Sequence, residues 1–206
     1  IKYAFNLVLR EVCGAETVVY TSNSDVFAKH NGVRINYSRE QIADAIRFVP
    51  AGLLAEKDIV QQEIYINTHK ETPVFFSVAN SALPFDVFAA SFYLVSRYEE
   101  YLPHIFDEHG RFMAKESLAF KNDFLHIPVV NVWCGWVKEL ILAQFPQAVF
   151  MPKPYTFITT VDVDNHYAYK AKGLFRTTGA IAKDIIDLKF DVLKERIKTV
   201  FGWMED

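Results

Sequence analysis

Asp162 and Asp164 lie in the stretch TFITTVDVDNHY, Thr156 to Tyr167, one residue apart at the end of a run of β-formers. On a regular strand such a pair shares one face, with side chains about 6 to 7 Å apart. That gap admits one cation-bound water, which is the arrangement of a metal-and-base site. Equally, Asp164 and Asn165 can bond backbone N–H groups of the following loop and do no more than end the strand. Residue type and spacing leave both readings open.

Other chemistry-bearing residues carry weaker signals. His104 and His109 are five apart with Asp107 between them, a spacing that fits neither one helical face nor a zinc-ligand pattern. Pro103 and Gly110 make the segment a turn, so loop-packing histidines are expected. Arg97 stands beside Glu99 and Glu100, and a structural ion pair is the expected role. The aromatics Phe85, Phe88, Phe92, Trp133 and Trp136 could stack on sugar rings, but helical spacing assigns them to a core. Lys170, Lys172, Arg176 and Lys183 make the segment after the acid pair basic, and solvated surface charge accounts for that.

The elements that must position these residues can be read in order. Phe5, Val8, Leu9 and Val12 recur at helical spacing and Gly14 follows, which predicts a helix covering a sheet. ETVVYT, VRINYS, IRFV, EIYIN and VFFSVA, between residues 16 and 79, are predicted strands. FDVFAASFYLVSRYEEYL predicts a helix from Phe85 to Leu102, buried along one side and stopped by Pro103. Asn131 is a possible cap for a further helix whose apolar stripe is Trp133, Trp136, Val137, Leu140 and Ile141. PKPYTF then reads as a hinge, Phe157 to Val163 as a strand opening a second unit, and KAKGLFRTTG as a loop. Ile186, Phe190, Leu193, Ile197 and Val200 predict one last amphipathic helix.

Composition bounds the rest. The 206 residues are 51% hydrophobic and 23% charged, with a net charge of -3, an ordinary folded composition without the basic footprint of a nucleic-acid binder. Cys13 and Cys134 are the only cysteines, which excludes a dense disulfide framework and favours a reducing compartment, the cytoplasm. No uncharged run reaches the roughly 20 apolar residues of a membrane helix. Both ends read as cut inside a longer protein.

FDVFAASFYLVSRYEEYLPHIFDEHGRF, then PVVNVW, then TVDVDNHYAYKAKG together resemble the bacterial polysaccharide deacetylase family, in proteins that carry an uncharacterised domain before the catalytic one. The segment SRYEEYLP followed by D.HGRF is the most specific part. The resemblance implies an α/β chain: a mixed α/β accessory domain over residues 1–150, then the first strand and helix of a truncated (β/α)-barrel deacetylase domain over 151–206. It implies a metal-dependent de-N-acetylase of surface polysaccharide, with Asp162 as general base and Asp164 as ligand to a divalent metal, zinc first.

Its substrate would be a polysaccharide or oligosaccharide, with no nucleic-acid partner and no transmembrane segment. The family's remaining ligands are two histidines well downstream, whereas 42 residues follow Asp164 and hold only His166. One carboxylate without imidazole partners does not make the usual three-ligand zinc site, so these residues alone are expected to be metal-free and inactive. Two alternatives stay open. One is a nucleotide-sugar glycosyltransferase holding Mn²⁺ on the D-x-D pair; the other is a non-catalytic interaction domain. The phosphatase version of D-x-D wants Thr or Val where His166 stands.

Overall fold

A computed structural model of the chain describes residues 1–42, 44–152, 154–162, 168–170 and 172–205. It divides into two compact units, Ile1–Pro154 and Tyr155–Asp206. The architecture is mixed α/β, with two small sheets and several helices, and the described strands close no barrel.

The first unit opens with α1 (Lys2–Phe5), which runs on as a π-helical segment, Asn6–Val12, and a short α2 (Ser24–Ala28) follows, capped by Asn23. Phe5, Val8 and Leu9 of the predicted stripe are buried, and Val12 packs at the edge of the core. Gly14 ends this helix at φ +88°, and a Cβ placed there would lie 2.3 Å from the Met151 carbonyl oxygen. The Met151 N–H donates to the Gly14 carbonyl at 2.8 Å, so the close approach that excludes a side chain is also what ties residue 151 to the N-terminal helix.

Fewer strands form than the β-former runs predict. β1 (Ile35–Tyr37) pairs in parallel with β2 (Ile46–Phe48), while β3 (Asn67–His69) and β4 (Thr72–Val74) make an antiparallel hairpin. Only Asn67 of EIYIN and Val74 of VFFSVA lie in strands, and ETVVYT forms none. A β-former run becomes a strand only where another backbone pairs with it. Phe76, at φ +60°, turns VFFSVA out of extended geometry. Tyr20 of ETVVYT is held by its side chain instead, edge-on to Phe5 at 6.3 Å and donating to Asn6 Oδ1 at 2.9 Å.

α3 (Val87–Val95) is shorter than predicted: Arg97 takes left-handed backbone (φ +54°) and Tyr98–Tyr101 continues as a 3-10 turn. Val87, Phe88, Ala89, Ala90 and Ser91 are all buried and Val95 is exposed, so α3 runs through the unit rather than along one side. α4 (Leu118–Lys121) follows a 3-10 turn, Ala114–Glu116, and α5 (Val129–Gln144) starts directly after Pro128. Asn131 therefore sits inside the first turn of α5 and not at its cap.

The core is aromatic. Phe5 and Phe88 stack with centroids 3.8 Å apart, and Phe88 meets Tyr37 and Phe48 edge-on. Phe75 and Phe85 lie against Trp133, whose Nε1 donates to the Pro73 carbonyl of β4 at 3.1 Å. Phe85, Phe88, Trp133 and Trp136 are buried and Phe92 is half-buried, as the core assignment requires.

In the second unit residues 157–162 hold no regular secondary structure, and Phe157, Ile158 and Val161 are exposed. The strand expected from Phe157 to Val163 is absent over those residues; Val163 lies outside the described ones. No strand exists in the described part of this unit to pair with it, and an unpaired strand leaves its backbone donors and acceptors to water.

α6 (Leu174–Ile186) occupies much of the stretch read as a loop, and α7 (Phe190–Val200) follows a turn in which Leu188 has φ +55°. The single helix expected through Ile186 and Val200 is thus broken into a hairpin. Arg196 Nε donates to Asp184 Oδ2 at 2.7 Å and joins its two arms, while Arg196 also lies 4.9 Å from the Tyr169 ring centroid. Among the described residues no helix is long and apolar enough to cross a membrane.

Candidate functional site

Residues 96–112, SRYEEYLPHIFDEHGRF, form a connected scaffold in the first unit. Tyr98 is buried; its hydroxyl donates to the Val60 carbonyl at 3.1 Å and accepts the Val60 N–H at 2.9 Å. Glu99 accepts the Leu118 N–H at 2.8 Å, and burial pushes its carboxyl above the usual value. From Asp107 to Gly110 the chain makes a tight turn, with the Gly110 N–H donating to the Asp107 carbonyl at 3.0 Å and Gly110 at φ +73°. The turn brings Phe106 and Phe112 together in an isolated antiparallel bridge.

This scaffold encloses an open cleft of about 870 Å³. His104 forms part of its aromatic wall, with ring centroids 4.3 Å from Phe106 and 4.9 Å from Phe112. His104 Nδ1 donates to the Leu102 carbonyl at 2.7 Å, which in the neutral ring leaves the lone pair on Nε2. Charge is supplied by Arg97, Arg111 and Lys115, and opposed by Glu100 and Asp107. Arg97 pairs with Glu100.

Arg111 Nε donates to Asp107 Oδ2 at 2.9 Å, and Asp107 Oδ1 accepts the N–H groups of His109 and Arg111, each at 2.8 Å. The Arg111 N–H above all, with the His109 N–H and the Arg111 side chain, holds the Asp107 carboxyl below the usual aspartate range. Asp107 is therefore occupied by its own turn. His109 lies against Glu108 at 3.4 Å, its side chain 62% exposed.

No three His, Cys, Asp or Glu side chains among the described residues form a group able to hold a metal ion. His104 packs in the loop and His109 lies at the surface, as expected of them, and Asp107 holds the turn between them. Asp162 is exposed in the second unit, and no described residue holds its carboxylate in a hydrogen bond. Asp164 lies outside the described residues, as does His166.

The model of a family of unknown function, DUF7033, matches residues 1–146. The chain belongs to this family. No curated protein and no solved structure matches it. The DUF7033 segment thus takes in the aromatic core, both small sheets and the whole cleft, and stops short of the D-x-D pair.

Reasoning from the sequence missed Phe106, Phe112 and Lys115 as site residues of the DUF7033 segment. A signal for the two phenylalanines existed: Phe106 precedes Asp107 and Phe112 follows Arg111, so each stands one residue outside the Asp107–Arg111 pair that closes the turn, and a tight turn makes such residues cross-strand neighbours. Lys115 had none, since it reaches the cleft from the turn Ala114–Glu116, which only the folded path brings back to Arg97.

Proposed function

We propose that these residues are the leading part of a metal-dependent carbohydrate de-N-acetylase, with a DUF7033 accessory unit followed by the start of a (β/α)-barrel catalytic domain. The observation that supports the reading is that Asp162 is exposed, as a base that must meet both substrate and water requires. The similarity of the FDVFAASFYLVSRYEEYL to TVDVDNHY run to polysaccharide deacetylases supplies the chemistry.

Asp162 in this reading takes a proton from the attacking water, so that the hydroxide adds to the acetamide carbon and the C–N bond breaks to give acetate and a free amine. A divalent metal, zinc first, would polarise the acetamide oxygen, with Asp164 among its ligands. The described residues do not form a metal site, so the reading needs imidazole ligands beyond them.

Acetate release from N-acetylated oligosaccharides, measured on the full-length protein with added zinc, tests the proposal. The expected result is turnover that Asp162→Asn reduces by at least about a hundredfold, the usual contribution of a positioned base. Undiminished turnover in Asp162→Asn removes Asp162 as base. A thermal shift with nucleoside diphosphate and Mn²⁺, lost in the same variant, would move the pair to glycosyl transfer.

A further inference from the structure

The cleft around His104 combines recognition groups that no catalytic role above employs. Its wall presents aromatic surface: Phe106 is 59% exposed and lies beside His104 and Phe112. Arg111 spends only Nε on Asp107, and its side chain is 69% exposed, so the terminal guanidinium nitrogens face outward with donors to give. Lys115 is exposed at the same cleft.

Arg97 adds an independent observation. It occupies the left-handed position just past the end of α3, with φ +54° and ψ +43°. Glycine or asparagine is the usual occupant there, and another residue costs on the order of 1 kcal/mol. Its side chain is 70% exposed at the cleft and pairs there with Glu100, which fixes the guanidinium at the cleft mouth.

Three cationic side chains and two carboxylates line the cleft, with Arg97 paired to Glu100 and Arg111 to Asp107, so that Lys115 leaves one positive charge in excess. That balance suits a ligand bearing one negative charge and disfavours the two or three charges of a nucleoside diphosphate, which Glu100 and Asp107 would repel. Glu100 can accept a hydroxyl hydrogen bond, the exposed ring of Phe106 suits the C–H face of a pyranose, and the guanidinium and ammonium groups suit a planar or tetrahedral oxyanion.

We propose that this cleft binds a sugar acid, a saccharide unit carrying a single carboxylate or sulfate. The choice of a saccharide rests on the de-N-acetylase reading; the preference for one negative charge and an apolar face rests on the cleft itself.

Isothermal titration of the 206-residue chain, paired with amide chemical-shift mapping, tests it. The probes are galacturonate, N-acetylglucosamine 6-sulfate, neutral di-N-acetylchitobiose and uridine diphosphate. At least one acid sugar is expected to bind with shifts concentrated in residues 97–115, at least about tenfold tighter than the neutral disaccharide and weakening as salt rises. Which acid sugar binds separates carboxylate from sulfate.

Arg111→Gln and Phe106→Ala, both at exposed side chains, are each expected to weaken that binding about tenfold while leaving the circular-dichroism melt unchanged. Equal affinity for the neutral disaccharide, tighter binding of uridine diphosphate, binding unaffected by both variants, or no binding of either acid sugar overturns the proposal. Hydrolysis plays no part in these readouts, so failure here and failure of acetate release are separate results.

Discussion

The Tyr37 hydroxyl of β1 donates to Asp86 Oδ2 at 2.6 Å, joining the parallel β-pair to the N-cap of α3. Asp86 is 1% exposed and also accepts the Ala51 N–H at 2.8 Å and the Ala89 N–H at 3.1 Å. One carboxylate thus holds β1, the loop after β2 and α3 in register, which places the end of α3 and with it Arg97 at the cleft.

Tyr37→Phe removes one donor from this buried carboxylate and keeps the ring packed on Phe5 and Phe88. A hydrogen bond to a charged group contributes about 1.5–3 kcal/mol. Urea unfolding followed by near-ultraviolet circular dichroism is expected to show a loss of that size, and an unchanged midpoint would show that water replaces the phenol.

Asp86 itself makes stability depend on pH. Burial raises its carboxyl above the ordinary value, outweighing the hydrogen bonds from Tyr37, Ala51 and Ala89 that lower it. Between the ordinary aspartate value, about 3.9, and the raised folded value, the folded state binds more protons than the unfolded one. The Asp86 contribution to stability therefore falls as pH rises through that window and levels off above it. Asp86→Asn, which does not titrate, is expected to gain stability relative to the wild type over the same window. Melting curves of both proteins from pH 3.5 upward check this, and parallel pH profiles would contradict it.

Gly14→Ala should destabilise the first unit by more than the roughly 1–2 kcal/mol that a left-handed alanine costs. The added Cβ would meet the Met151 carbonyl oxygen at 2.3 Å, so the segment at 151 must move away. Loss of amide protection at Met151, measured by hydrogen exchange, should accompany the drop in midpoint; protection retained at 151 would refute the steric account.

Arg196→Met leaves Asp184, 7% exposed, without its ion-pair partner in the α6–α7 hairpin. Removing one member of a buried pair costs about 3–5 kcal/mol, as much as a two-helix hairpin is expected to have. Hydrogen exchange should therefore show α6 and α7 losing protection while α3 and α5 keep theirs. Asp184→Leu combined with Arg196→Met is expected to recover part of the loss, because no unpaired charge remains.

Much of the helical core is legible in the sequence. Trp133, Trp136, Val137 and Ile141 share a face through the 3.6-residue period alone, and Gly14 marked its helix end. The Asp107 to Gly110 turn was legible for the same reason, since its Asx bonds and left-handed glycine involve neighbouring residues. The break at Leu188 was not: Ile186, Phe190, Leu193, Ile197 and Val200 keep helical spacing across it, and periodicity records which face is apolar but not whether the backbone stays continuous.

By itself, then, the sequence determined what depends on residues a few positions apart: helix faces, the glycine stop, the turn, and the placing of two acids within reach of one another. Tertiary structure alone decided what depends on distant backbone. Among the described residues β1 pairs with β2 and β3 with β4, while other β-former runs stay out of the sheets, because a strand's hydrogen bonds lie on another segment. The cleft likewise exists because the path from Arg97 returns at Lys115 past the Phe106–Phe112 bridge, an enclosure that no local spacing encodes.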